Sequence, residues 1–140
     1  KSGHPLIAVP YRGAFSSVGE EILVAWSGAR EAARAVEDAM PILEKARSVT
    51  LLTVDLRSGD ALSVDHLTTL LERHGVTVSV QGARSLGRPV GEVLLSKARE
   101  LHCDLLVMGG YGHSPIREQL FGGATYFVLQ HMDIPVLLSH

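Results

Sequence analysis

The run Asp104-Leu105-Leu106-Val107-Met108-Gly109-Gly110-Tyr111-Gly112 decides how the rest of the chain is read. Leu105–Met108 is apolar throughout, with no polar alternation, and so predicts a strand covered on both faces, as in a parallel sheet between two helical layers. The glycines that follow predict a loop rather than a continuation of the strand. Beyond them, a short helix is predicted over Ala124–His131.

Working outward, β-rich runs recur at Ile22–Trp26, Val49–Val54, Val76–Val80 and Val136–Leu138. Stretches with helical spacing lie between them. Ala32, Val36, Ala39 and Leu43 form one stripe, which Pro41 is expected to kink. Leu67, Leu70 and Leu71 form a second, stopped by Gly75. Val90, Leu94, Ala98 and Leu101 form a third, with Pro89 in its first turn. Residues 55–63 and 82–88 read as surface connections. Strands alternating with helices predict an open, doubly wound, five-stranded parallel sheet with helices on both faces. Ligands of such sheets sit beyond the carboxyl ends of the strands, where strand order reverses. The loops after Trp26 and Met108 are therefore the places to look for a site.

Composition narrows the class. A chain of 140 residues is sized for one α/β domain, residues 21–140, preceded by an N-terminal strand and linker over 1–20. The formal charge of -2 removes the basic excess that phosphate-backbone binding needs, so no nucleic-acid partner is expected. No apolar run approaches the roughly 18 residues of a membrane span. A single cysteine, Cys103, has no partner for an internal disulfide and fits a reducing compartment. With no signal peptide visible, a cytoplasmic location is expected. The chain begins at Lys1, which leaves an upstream segment open.

The chemistry is expected in residues 109–125, Gly-Gly-Tyr-Gly-His-Ser-Pro-Ile-Arg-Glu-Gln-Leu-Phe-Gly-Gly-Ala-Thr. Between a buried strand and a helix, such glycines bring backbone amides close to a ligand. The free amides of a helix start then favour an anion. On glycine content alone, a surface turn is the better reading.

The spacing adds to this. Gly109-x-x-Gly112, nine residues and then Gly122 resembles the glycine pattern of ATP-binding members of the universal stress protein family. The flanking Asp104–Gly109, Tyr111–Ser114 and Ile134–Leu138 resemble that family too, as does the opening Ile22-Leu23-Val24-Ala25-Trp26-Ser27-Gly28. The resemblance covers residues 21–139. It implies strand order 3-2-1-4-5, a homodimer or tandem pair joined through the fifth strand, and a nucleotide between the first and fourth strands. It also implies ATP as the ligand, with Mg²⁺ held mainly by the phosphates. The expected contacts are Ala25, Trp26 and Ser27 on the first strand, then Met108 (at the ribose), Gly109, Tyr111 and Gly112, and finally Gly122, Gly123, Ala124 and Thr125. Two positions depart from the family pattern. Where an Asp usually contacts the adenosine this chain has Ser27, and where a Ser or Thr usually follows the last glycine it has Gly123, with Thr125 as a substitute hydroxyl.

Single residues keep alternatives open. Trp26 either stacks on an adenine or caps the core, the commoner role for a strand-end Trp. His113 either touches phosphate or holds the loop. Arg117 either pairs with phosphate or is solvated, as Arg30 and Glu31 are expected to be. His102, Cys103 and Asp104 lack zinc-site spacing, and no metal is expected there. With no Walker lysine motif and no acid–base–nucleophile set, any ATPase would be slow. The functions in view are an ATP-binding stress-response or signalling module, or an interaction module of the same fold that binds no nucleotide and works by dimerisation. The segment His4-Pro5-Leu6-Ile7-Ala8-Val9 echoes Ile134–Leu138. By the resemblance its Pro5–Val9 run is the fifth strand of a preceding domain, with Leu6–Val9 expected to pair antiparallel with Val136–Leu138, within the chain or from a neighbour, and a linker over Tyr11–Gly19 follows it.

Overall fold

The computed structural model describes residues 4–110 and 123–139. Strand β1 (Leu6–Ala8) leads to β2 (Glu21–Ala25), helix α1 (Arg30–Lys45) and β3 (Ser48–Val54). A single 3₁₀ turn (Ser58–Asp60) opens onto α2 (Ala61–Arg73), followed by β4 (Val78–Ala83) and α3 (Val90–Glu100). Then come β5 (Leu105–Gly109), α4 (Gly123–His131) and β6 (Val136–Ser139). The strands form one sheet in the order β1-β6-β5-β2-β3-β4. Strands β2 to β6 are mutually parallel, and their spatial order is the expected 3-2-1-4-5. β1 joins antiparallel, Leu6 opposite Leu138 and Ala8 opposite Val136, within the same chain.

The two-residue period of the strands sorts the core into two layers. Ile22, Val24, Leu51, Leu105, Val107 and Leu137 point to one face and pack under α1 and α2. Leu23, Leu52, Leu106, Met108, Val136 and Leu138 point to the other and pack under α3 and α4. Each fully buried Leu or Val is worth about 1.5–3 kcal/mol against exposure. The covering of both faces explains why β5 carries no polar residue.

Several sequence expectations need correction. β4 starts two residues later than Val76 and runs on to Ala83, so residues 82 and 83 are ladder rather than connection. Val76 is buried, but in the turn beneath α2, where its amide bonds the Leu71 carbonyl. Residues 55–63 are not all connection, since α2 begins at Ala61. Trp26 lies just beyond β2, although its amide still donates to the Leu52 carbonyl at 2.9 Å. α1 runs unbroken through Pro41. Pro41 and Glu37, whose carbonyl loses its amide partner, are both exposed, so water can serve that carbonyl. Gly75, at φ +79, follows α2 as predicted.

Asp104 ties the N-terminal segment to the sheet. Its carboxylate accepts from the Ser17 hydroxyl at 2.7 Å and from the amides of Gly19, Glu20 and Glu21 at 3.0–3.1 Å. Partial burial by itself pushes this carboxyl up. The Ser17 hydroxyl and the three amides outweigh that, leaving its pKa below the usual 3.8. Neighbouring Cys103 is buried, and desolvation, then the charges of Glu21 and Asp104, push its thiol up to about 11. It behaves as a small apolar side chain.

Two outcomes follow from this arrangement. Asp104→Asn is expected to lower stability at pH 7 by about 1–2 kcal/mol, less than four buried charged bonds would give because the carboxylate is partly solvated. Because the folded pKa is depressed, this contribution is complete above 3.8 and is lost as pH falls through the lowered folded value. Denaturant titrations should therefore show the gap between wild type and variant closing in acid, and a gap independent of pH would contradict the assignment. Deleting Lys1–Arg12 bares the β6 edge, and such edges associate. The truncated protein is expected to melt lower or to change its mass in solution. No change in either would show that β1 contributes nothing to the sheet.

Candidate functional site

Strand order reverses between β2 and β5, and the helices that follow them in sequence, α1 and α4, pack on opposite faces of the sheet. A cavity of about 520 Å³ opens there, at the ends of β2, β3 and β5. That volume falls within the range of small-molecule sites. Its apolar floor includes Ala25, Leu52, Val54, Leu94 and Met108.

The β2 side is shaped by a tight turn. Gly28 sits at φ +79, a conformation costly for other residues, and Ala29, still extended, precedes the first residue of α1. The exposed Ser27 hydroxyl accepts from the Ala29 amide at 3.3 Å. Trp26 is half-buried against the α1/α2 layer and also lines the cavity. Its indole N–H donates to the Ser63 hydroxyl at 3.3 Å, and Ser63 donates to the Asp60 carbonyl at 3.0 Å.

The β3 side brings residues that sequence reasoning passed over: Asp55, Arg57, Asp60 and Ser63 all line the cavity. Asp55 stands at φ 56 and accepts from the Ser85 hydroxyl at 2.6 Å and the Ser85 amide at 3.0 Å. These bonds, the hydroxyl's first, hold its carboxyl below the usual carboxylate value. The segment carries no motif. An available signal was its position after the second strand of a doubly wound sheet, which places it beside the crevice.

On the β5 side, a Cβ added to Gly109 would lie 2.7 Å from the Glu31 carbonyl carbon and Cβ, and 2.8 Å from the Ala32 amide. The first turn of α1 thus rests directly on the end of β5. Glu31, expected to be solvated, is buried at 7% exposure and lines the cavity, because this crossing carries it inward. Arg30 is exposed, as expected.

Of the predicted contacts, Ala25, Trp26, Ser27, Met108, Gly109 and Ala124 are brought together around the cavity. Thr125 is fully buried in α4 and does not line it, and neither does Gly123. Among the described residues nothing lies within 4 Å of a Cβ built on Gly123, so no packing constraint asks for glycine there. Tyr111, Gly112 and Gly122, with His113, Ser114 and Arg117, lie outside the described residues. Among those described, no cluster of three or more His, Cys, Asp or Glu side chains is placed to hold a metal, and no helix is long and apolar enough to cross a membrane.

An open, doubly wound α/β sheet with its crevice at the switch point is a broad class of fold. Within it the chain belongs to the universal stress protein family, whose model matches residues 20–140. Solved structures agree in fold. A universal stress protein from Archaeoglobus fulgidus DSM 4304 aligns with a TM-score of 0.78 at 18% identity, over 96% of this chain and 50% of that one. The present chain therefore spans about half the length of that relative. A universal stress protein solved in complex with cAMP aligns at 0.69 and 24% identity, over 86% and 96% of the two chains. Universal stress protein UspA from Lactobacillus plantarum aligns at 0.60 and 17% identity, over 89% and 100%. No curated protein matches the sequence.

The contact at Gly109 carries a prediction. Gly109→Ala forces a Cβ against the α1 backbone and is expected to cost about 1–3 kcal/mol of stability with no ligand present. Thermal melts check it, and an unchanged melting temperature would mean that α1 gives way freely.

Proposed function

We propose that the protein binds an adenine nucleotide, ATP with Mg²⁺ held mainly by the phosphates, and acts as a stress-response or signalling module. The observation that carries this reading is the cavity between the ends of β2 and β5, which gathers six of the residues predicted from sequence. Its chemistry suits the ligand. The apolar floor accepts a flat base, and carboxylates on the β3 side can accept from ribose hydroxyls or the exocyclic amine. On the β5 side Gly109 and Gly110 line the cavity, which supports the reading of a triphosphate held by backbone amides. A relative of similar fold solved with cAMP also supports an adenine ligand. Hydrolysis, where it occurs, is expected far below the median enzyme turnover of about 10 s⁻¹. Pairing with a second copy or domain is part of the proposal. The outer edge of β6 is already taken by β1, so a partner reaches the sheet through β1 or by displacing it.

Ser27 supplies the test. A hydrogen bond to a charged group is worth about 1.5–3 kcal/mol, ten- to a hundredfold in affinity. Ser27→Asp supplies the carboxylate usual at this position in nucleotide-binding members and leaves an acceptor for the Ala29 amide. Calorimetry is expected to show Mg-ATP binding to the wild type and binding at least about tenfold tighter to Ser27→Asp. Absence of binding by either protein, to ATP and to cAMP alike, would leave the interaction-module reading in its place.

A further inference from the structure

Trp26 is the only tryptophan in the chain, and it stands at the switch point. The core does not need an indole there. The layer beneath α1 and α2 is filled by Ile22, Val24, Leu51 and Val107, and Trp26 only packs against its margin, half-buried. The ring is nonetheless held in one place. Its N–H donates to Ser63 on the first turn of α2, and Ser63 is fixed to the Asp60 carbonyl. With that polar edge engaged inside the protein, what the indole can offer a ligand is its π-surface. Leu52, Val54, Leu94 and Met108 line the same cavity and make that part of it apolar.

From this geometry we infer that Trp26 receives the base: a purine ring stacks on the indole, and affinity for a purine nucleotide depends on that contact. The inference rests on the nucleotide reading above and adds its discriminating group. A flat aromatic ring gains from stacking whatever its hydrogen-bonding edge, so the contact favours ligands that carry a base over phosphorylated ligands that carry none. Stacking of one base on one aromatic side chain is worth about ten- to a hundredfold in affinity.

The single tryptophan makes the test direct. Its fluorescence is titrated with ATP, with tripolyphosphate and with ribose 5-phosphate. ATP is expected to quench it, and the two probes without a base are expected to leave it unchanged. In calorimetry, Trp26→Leu should weaken ATP about ten- to a hundredfold and leave tripolyphosphate affinity as it was, and Trp26→Phe, which keeps an aromatic face, should retain most of the affinity. ATP binding of undiminished strength in Trp26→Leu, or wild-type binding with no change in emission, overturns the inference and leaves the nucleotide reading standing. No calorimetric binding of ATP by the wild type overturns both. The fluorescence titration uses the wild-type protein, so it decides even where a variant fails to fold.

Discussion

The first turn of α1 lies on the end of β5, backbone against backbone, because residue 109 has no side chain. Much of the site follows from this contact. It sets the distance between the turn after β2 and the end of β5, the two walls of the crevice. It turns Glu31 inward instead of into solvent. It also places Ala25, Ser27 and Met108 around one space rather than on separate surfaces. The glycine is therefore a packing residue first. Any closeness to a ligand is a consequence of the helix it admits.

The same end of the sheet is stiffened by polar contacts within the protein. Ser85 holds the Asp55 carboxylate, and the Trp26–Ser63–Asp60 chain ties the end of β2 to the start of α2. At the opposite end of the sheet, Asp104 gathers the linker before β2. Each of these joins segments distant in sequence, and each restrains a loop that hydrophobic burial alone would leave loose. The exposed side chains of β1, Leu6 at 60% and Ile7 at 46%, show the reverse case. There the backbone ladder to β6 holds a strand whose side chains are only partly covered.

Much of the fold was legible because it is written in periodicity. The all-apolar β5, the stripe Ala32–Val36–Ala39–Leu43 and the stop at Gly75 each reflect a local rule, and the structure places them as the pattern implied. The misreadings have physical causes. Val76 carries a strand-like side chain, yet it is drawn into the turn under α2 by its bond to Leu71, which delays β4. Residues 58–60 look like polar connection because a 3₁₀ turn has no apolar stripe to reveal it. Glu31 reads as solvated because a carboxylate usually is, and only the crossing of α1 over β5 makes it otherwise. Thr125 offers a hydroxyl on paper, but the packing of α4 turns it into the core.

By itself, then, the sequence determined the class of fold and the order of its elements, and it named six of the residues that line the cavity at the switch point. Those properties follow from hydrophobic period and glycine spacing, which act between neighbours along the chain. The tertiary structure alone decided which side chains converge. The β3 loop with Asp55, Arg57 and Asp60, the inward turn of Glu31 and the anchoring of Trp26 by Ser63 all join residues far apart in sequence. Such contacts depend on helix crossings and strand adjacency, and a crossing is set by the closest approach that two backbones can make. At Gly109 that approach is 2.7 Å from where a side chain would begin. No local pattern specifies that meeting, because one partner lies at the start of α1 and the other at the end of β5.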